Sequence, residues 1–429
     1  MEKFDVIIVG AGLAGLGAAY TLAGRDLEVL VLERGDYPGA KNVTGGRIYV
    51  NPVRDLFPDL WREAPLERFI VHEGVVLMAK ERSVAIDYAG DELRQEPHQS
   101  YSVLRARFDR WFAEQAEAKG AMILPKTRVE NVITEKGKVV GVLAGGDELQ
   151  ADVVIACDGV LSLLGEQAGL HPPATPHNYA LGIKEVIALA GEKINDRFQL
   201  QGNEGAARLF IGEVTQGLFG GGFLYTNKES VSLGIVIGIE DMMEQGGGNR
   251  EAPALMEAFK ARPEISCLIR GGATVEYAAH LIPEGGFKAL HPLHGDGILI
   301  AGDAAGFALN MGFTVRGMEY ALASGYYAAQ TVLKAREAGS YDAETLSEYG
   351  RLLQESFVLK DFQSFQATPS FLNNPRFFSH YPELKGNILR DIYSIPAGPK
   401  DRLYPTVRKY LGLGEVWAMF KDFREVTKI

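Results

Sequence analysis

Residues 4–33 constrain this chain most. FDVIIV is a short, continuous run rich in β-branched residues, the pattern of a strand buried on both faces of a parallel sheet. GAGLAG follows at once. Residues 13–24 then read as a helix of small residues, and residues 28–32 as the next strand. In this βαβ setting the glycines have separate tasks. Gly10 permits the tight turn, Gly12 lets a pyrophosphate approach the backbone, and Gly15 lets the helix pack on the strand. Ala11, Leu13 and Ala14 lie in the same turn, where free amides and the positive helix end suit phosphate. Glu33, with Arg34 beside it, comes 18 residues after Gly15 at the end of the second strand. A carboxylate there accepts both hydroxyls of an adenosine ribose. The plain alternative is a glycine turn between packed elements, and the two strands and the acid argue against it.

That fingerprint does not separate FAD from NAD. Two later segments do. Cys157-Asp158-Gly159 follows the strand-like run 150–156, and ILIAGDAAGFALNMGF begins at Ile298. The second segment places Gly302 and Asp303 at a strand end and at the start of a helix. There the carboxylate can bond a ribityl hydroxyl, and the helix amides can face the pyrimidine carbonyls of a flavin. A nicotinamide dinucleotide has no ribityl chain, so FAD is the expected cofactor.

The rest of the chain fits a doubly organised flavoprotein. Residues 107–119 read as an amphipathic helix with Phe108, Trp111, Phe112 and Ala116 on one face. Residues 129–143 read as strand and belong to a second βαβ half. Between residues 179 and 275, strand-like runs alternate with glycine turns, the texture of an antiparallel-rich second domain. Residues 295–301 return to a buried parallel strand, and a helix follows over 317–338. Helical segments beyond 341 are broken at Pro369, Pro375, Pro382, Pro396 and Pro399. The expected fold class is α/β: a Rossmann-like FAD-binding domain (1–75, 100–175 and 285–345), a β-rich α+β domain (76–99 and 176–284) and a helical C-terminal region (346–429).

Composition bounds the partners. Fifty glycines among 429 residues, about 12% against a usual 7%, sit in clusters that suit turns and backbone-to-ligand contacts. Fifty-five acids against 44 bases leave −11, a poor balance for neutralising phosphates, so no nucleic-acid partner is expected. The start has no signal-peptide layout, and no run reaches the roughly 18 apolar residues of a membrane span. A cytoplasmic protein, soluble or peripheral, is the expectation. Cys157 and Cys267, the two cysteines, read as small apolar core residues, and two thiols cannot hold a tetranuclear iron–sulfur cluster. His291 and His294 lie three apart beside a Pro-Leu turn, which suits a solvated loop better than a metal pair.

The three nucleotide segments together resemble the glutathione-reductase-type-2 flavoproteins. Longer matches are narrower: GAKNVTGGRIY from Gly39, YSVLRARFDRWFAEQAE from Tyr101, DRFQLQGNEGAA from Asp196, GGGFLYTNKESVSLG from Gly220 and PSFLNNPRFFSHYPEL from Pro369. These resemble the FixC branch of the electron-transfer-flavoprotein:quinone oxidoreductases. The resemblance implies an FAD-dependent oxidoreductase in which the flavin carries the chemistry, with no catalytic side chain and no metal. It implies electrons from an electron-transfer flavoprotein pair (FixA and FixB), delivery to quinone on the inner face of the cytoplasmic membrane, and an electron-bifurcating complex. The 4Fe-4S cluster would sit on a separate ferredoxin-like subunit, FixX.

The resemblance also distributes roles. Arg105 reaches the phosphates or ribityl oxygens, or else forms a surface ion pair. Val129 contacts adenine through its backbone. Asp158, Gly159, Gly302 and Asp303 complete the clamp. Thr44, Gly45, Gly46, Asn310, Gly312 and Phe313 line the flavin ring, with Asn310 either donating to a flavin carbonyl or capping a helix. A quinone needs an apolar slot with few polar contacts. Gly221, Gly222, Phe223 and Tyr225 form the candidate wall, the alternative being a strand with a glycine bulge. Residues 407–429 mix aromatic and basic side chains, so they either dock on their own domain or meet a membrane or partner. Three other functions stay open: a geranylgeranyl-reductase-like enzyme, a flavin monooxygenase, and an FAD relay whose quinone site lies on a partner.

Overall fold

The computed structural model describes residues 2–42 and 46–424, Asn249 by its backbone alone. The strand Glu2–Val9 has Val6, Ile7 and Ile8 fully enclosed. It lies between Val29–Leu32 and Asp147–Ala156, parallel to both. Met122–Leu124 and Ile298–Ile300 extend the parallel sheet at its two sides. Such a sheet must be covered on both faces, which is why these strands read as unbroken apolar runs.

The helix Leu13–Leu22 buries eight of its residues and packs on the 21-residue helix Met318–Ala338. Small side chains allow backbone contact there. A Cβ added at Gly325 would stand 2.0 Å from the Ala14 carbonyl oxygen. This contact fixes where the amino end of the first helix points.

The second sheet has nine strands among the described residues. Its main path runs Ala273–Pro283, Tyr179–Ala188, Ser230–Gly238, Gly220–Thr226, Glu204–Gly212, Phe69–Met78, Ser100–Ser102 and Arg47–Tyr49. Along Ser230–Gly238, Leu233, Ile235 and Ile237 are fully buried and share a core with the helices Gly191–Phe198 and Ala252–Ala261. The alternate residues face the dinucleotide half, as the period of two requires. The sheet is antiparallel except where Glu204–Gly212 runs parallel to Phe69–Met78.

Several expectations change. Arg47–Tyr49, Phe69–Met78 and Ser100–Ser102 pair within the second sheet, whereas the sequence places residues 47–75 and 100–102 in the dinucleotide half. Arg47–Tyr49 and Ser100–Ser102 have three residues each, too few to show a pattern, and Phe69–Met78 joins the second sheet by pairing with Glu204–Gly212, far away in sequence. Residues 129–143 are not part of a second βαβ half. They form the hairpin Val129–Glu135 and Lys138–Ala144, and the latter pairs antiparallel with Asp147–Ala156. Residues 295–301 are not one strand, because Gly297, at φ +76°, turns the chain so that His294–Gly295 pairs back on Ile298–Ile300. Asp303 opens a single 3-10 turn, Gly302–Ala305, rather than an α-helix.

Pro396 and Pro399 fall in the non-helical stretch between His380–Tyr393 and Leu403–Arg408, as expected, but the three earlier prolines act differently. Pro369 and Pro375 stand in the first turns of Thr368–Leu372 and Pro375–Phe377, where a missing N–H costs nothing. Pro382 lies in the first turn of His380–Tyr393. Replacing Gly325 by Ala should force the two long-range helices apart. The expected loss is about 1–3 kcal/mol of unfolding free energy, the range for overpacking a tight contact, read as a lower denaturant midpoint.

Candidate functional site

Between the two sheets lies a cavity of about 310 Å³. Its floor is the carboxyl end of the parallel strands, where open α/β sheets hold their ligands. Gly10 adopts φ +102°, and a Cβ there would stand 2.2 Å from the Cys157 carbonyl oxygen. A Cβ on Gly15 would stand 1.9 Å from the Gly10 carbonyl oxygen. At Gly12 the nearest atom to an added Cβ is Asn42 Nδ2 at 3.9 Å, so the strand–helix turn is closed below and open toward the cavity. No side chain caps the first helix, and no acid stands in its first turn. Its orphan amides therefore suit an anion from the cavity.

Around that turn the expected residues converge. Gly12, Leu13, Ala14, Glu33, Arg34, Asp158, Gly159, Gly302 and Asp303 all line the cavity. Glu33 accepts the N–H groups of Ala11 (2.9 Å) and Gly35 (2.6 Å), which aim its carboxylate at the ribose position. Asp158 Oδ2 accepts the Leu164 N–H at 3.1 Å, while Oδ1 is buried without a partner. Burial pushes the Asp158 carboxyl up, against the pull of that N–H. An orphaned acceptor beside uncapped helix amides is what a dinucleotide would satisfy.

Arg105 is no surface ion pair. It is largely buried, donates to both Asp109 oxygens at 2.8 Å, and lines the cavity. Asp109 also takes the Asn42 amide. Opposite stand His280 and Asp303. Burial raises the Asp303 carboxyl, with His280 and Arg105 pulling it back down. Burial lowers His280, against the carboxylate of Asp303.

Of the residues expected at the ring end, Gly46, Asn310 and Gly312 stand on the cavity wall. Thr44 and Gly45 lie outside the described residues. Gly46 lines the cavity and packs on the Tyr225 ring, 2.6 Å from a would-be Cβ. Phe313 does not line the cavity. It sits in the turn of the hairpin Leu309–Asn310 and Val315–Arg316, 62% exposed, edge-on to Phe365. Asn310 caps no helix. Its Oδ1 accepts the Gly312 N–H at 3.0 Å, and it shares the cavity wall with Glu284, whose carboxyl it draws down. Val129 begins its hairpin strand half-buried and is not among the cavity-lining residues.

The far end is apolar. Leu209, Ile211, Phe223, Val236, Ile282 and Leu372 line it. Gly221, Phe223 and Tyr225 alternate onto this face, with Phe223 and Tyr225 stacked at 5.4 Å. Gly222 contributes only backbone, because a Cβ there would point the other way, 2.9 Å from Phe259 Cζ. Burial raises the Tyr225 hydroxyl well above its ordinary value, so it stays neutral. Cys157 lines the cavity, and Cys267 is exposed rather than buried. His291 faces His171 at 5.1 Å between ring centroids, and His294 pairs in the short hairpin.

Sequence reasoning missed Glu284, His280, Arg47 and Arg316, all on the cavity wall. Arg47 donates to Glu73 (Nη1 to Oε2 2.7 Å), and Arg316 bridges Glu319 (2.5 Å) and Asp361 (2.6 Å). No spacing signal marks these residues, since strand pairing alone brings them together.

A phosphate-ready helix end, a ribose acid and an apolar ring pocket define an FAD-dependent oxidoreductase. Residues 3–196 match the family described as FAD binding domain. The chain is 46% identical over 398 residues to the probable electron transfer flavoprotein-quinone oxidoreductase YdiS of Escherichia coli strain K12, covering 93% of this chain and 92% of that one. It is 48% identical over 409 residues to protein FixC of Escherichia coli O157:H7, covering 95% of each. A solved geranylgeranyl bacteriochlorophyll reductase-like protein of Thermoplasma acidophilum shares the fold, with a TM-score of 0.73 and 19% identity over 98% of this chain and 99% of that one. The chain belongs to the FixC family of electron-transfer-flavoprotein:quinone oxidoreductases, and its cofactor is FAD.

Glu33→Gln keeps the shape but turns one acceptor into a donor facing N–H groups. The expected result is FAD binding weakened about 10- to 100-fold, from one lost bond to a charged acceptor, measured by quenching of FAD fluorescence.

Proposed function

We propose that this subunit takes electrons from an electron-transfer flavoprotein of the FixA/FixB kind onto its FAD and passes them to quinone. The observation that carries this reading is the continuity of one cavity. The polar cradle for the dinucleotide runs without a wall into an apolar slot bounded by Leu209, Phe223, Val236 and Leu372. A quinone headgroup fits such a slot, since it offers two carbonyl oxygens on an otherwise apolar ring. The flavin supplies the redox chemistry when bound. The residues of the chain position it, and Phe223 and Tyr225 offer ring faces to the acceptor.

The C-terminal helix Leu413–Arg424 supports delivery at a membrane surface. Arg376 holds its polar side, through Glu415 (2.6 Å) and Asp422 (2.9 Å), and Tyr381 also bonds Asp422. His380 adds a contact to Glu415 at 2.8 Å. Phe423 packs against Phe377 and Tyr381. Leu413, Trp417 and Phe420 remain exposed, at 93%, 58% and 59%. An apolar face of this kind beside Lys421 suits the headgroup region of a bilayer. No helix among the described residues is long and apolar enough to cross a membrane. Phe378, next to Phe377, lines the apolar slot, so the exposed face and the slot share one segment.

The family resemblance points to a 4Fe-4S cluster on a ferredoxin-like FixX subunit, since two cysteines are too few to ligate one here. The assembly splits electron pairs between quinone and a low-potential acceptor. An anaerobic spectral titration of the purified protein tests the reading. NADH alone is expected to leave the flavin absorbance oxidised. Reduced electron-transfer flavoprotein is expected to bleach it, and a quinone analogue to restore it. Rapid bleaching by NADH or NADPH alone would show a self-sufficient reductase or monooxygenase instead.

A further inference from the structure

A quinone becomes a quinol only when two protons accompany two electrons, one to each carbonyl oxygen. An apolar slot excludes the water that would otherwise supply them. Among the described residues, Glu284 is the one acid that lines both that cavity and a smaller neighbouring one. We propose that Glu284 carries a proton into the acceptor slot, because its carboxyl stands in the wall shared by the main cavity and a second cavity that opens at the surface. This inference rests on the quinone reading above and names the proton donor within it.

The geometry is specific. Glu284 directly follows the strand Ala273–Pro283, and its own N–H donates to the Asn178 carbonyl at 2.8 Å. It lines the main cavity and a smaller one of about 80 Å³. The rim of the smaller cavity carries His177 and Glu240, paired at 2.6 Å, with side chains 61% and 49% exposed. Asn310, Phe219 and Leu372 line both cavities. Asn310 is oriented, because Oδ1 already takes the Gly312 N–H. Its NH₂ remains as the donor that draws the Glu284 carboxyl down.

Other titratable groups flank the two sides. His177, Glu240 and Asp241 face the smaller cavity, and His280, Asp303 and Arg316 face the larger. Burial pushes the Glu284 carboxyl up to about 7, with the Asn310 hydrogen bond pulling it back down. A group that holds and releases its proton near neutrality is best matched to general acid work at that pH.

The step balances. FAD bound in its two-electron reduced, singly deprotonated form would supply the electron pair and one proton to the quinone. The second proton leaves the Glu284 O–H as a new O–H forms on the other quinone oxygen. The products are oxidised FAD, quinol and the Glu284 carboxylate, which takes up a proton from water through the smaller cavity. The rate that depends on this donor falls as pH rises through about 7, where Glu284 ionises.

The test reoxidises the chemically reduced holoprotein with a short-chain quinone or with ferricenium, which takes electrons and no proton. Wild type, Glu284→Gln and Glu284→Asp are compared across the neutral range. Glu284→Gln is expected to slow quinone reduction roughly 100-fold and to flatten its pH profile, within the usual reach of one general acid. Glu284→Asp is expected to restore a pH-dependent rate, and ferricenium rates to stay equal in all three. An unchanged quinone rate and profile in Glu284→Gln would overturn the proposal alone. An equal loss with ferricenium would also overturn it, by showing a structural role. A wild type that reduces ferricenium but no quinone would overturn the quinone reading, and this inference with it.

Discussion

The structure depends on backbone meeting backbone at the first strand–helix turn. Gly10 lies under the Cys157 carbonyl, Gly15 under that of Gly10, and Gly325 of the long helix under that of Ala14. Each contact is too close for a side chain. Together they hold the first helix so that its uncapped amino end points into the space between the sheets. A helix end held this way favours negative charge through its free N–H groups and its dipole. The placement of Glu33 and Asp303 follows from the same packing, because both stand at the ends of strands in that sheet.

The cavity is divided by chemistry along its length. The ADP end concentrates charged and hydrogen-bonding groups. Glu33 is aimed by two backbone N–H groups, Arg105 is locked on Asp109, and Asp158 keeps a free oxygen. The other end is walled by the second sheet, whose residues alternate between a helix-covered core and the cavity. Leu233, Ile235 and Ile237 go to the core, while Val236 goes to the slot. One sheet thus builds a stable interior on one face and an acceptor surface on the other. A low-dielectric slot also strengthens the few polar contacts inside it, which makes a single carboxyl at its edge consequential.

Much of this was legible in the sequence, for local reasons. The first βαβ unit is written in glycine positions and unbroken β-branched runs, and the Glu33, Asp158 and Asp303 sites follow from strand ends. The Gly220–Thr226 strand was legible as a candidate wall. What failed was non-local. The side-chain direction of Phe313 depends on the turn between Leu309–Asn310 and Val315–Arg316, and adjacency to Gly312 carries no information about it. Asn310 shares both cavity walls with Glu284, 26 residues away, which no periodicity announces. Arg105 read equally as a surface residue, because only the fold brings Asp303 and His280 opposite it. Sequence runs of two or three residues, such as His294–Gly295 and Ser100–Ser102, are too short to show their pairing.

The central claim is that an electron acceptor of quinone type docks in the apolar slot beside the FAD. Photolabelling of the reduced holoprotein with an azidoquinone, followed by peptide mapping, tests this most directly. Label is expected on the strands Glu204–Gly212 and Gly220–Thr226 and around Val236, and excess unlabelled quinone is expected to displace it. Label confined to the exposed face of Leu413–Arg424, or label that no quinone displaces, would contradict the assignment of the slot.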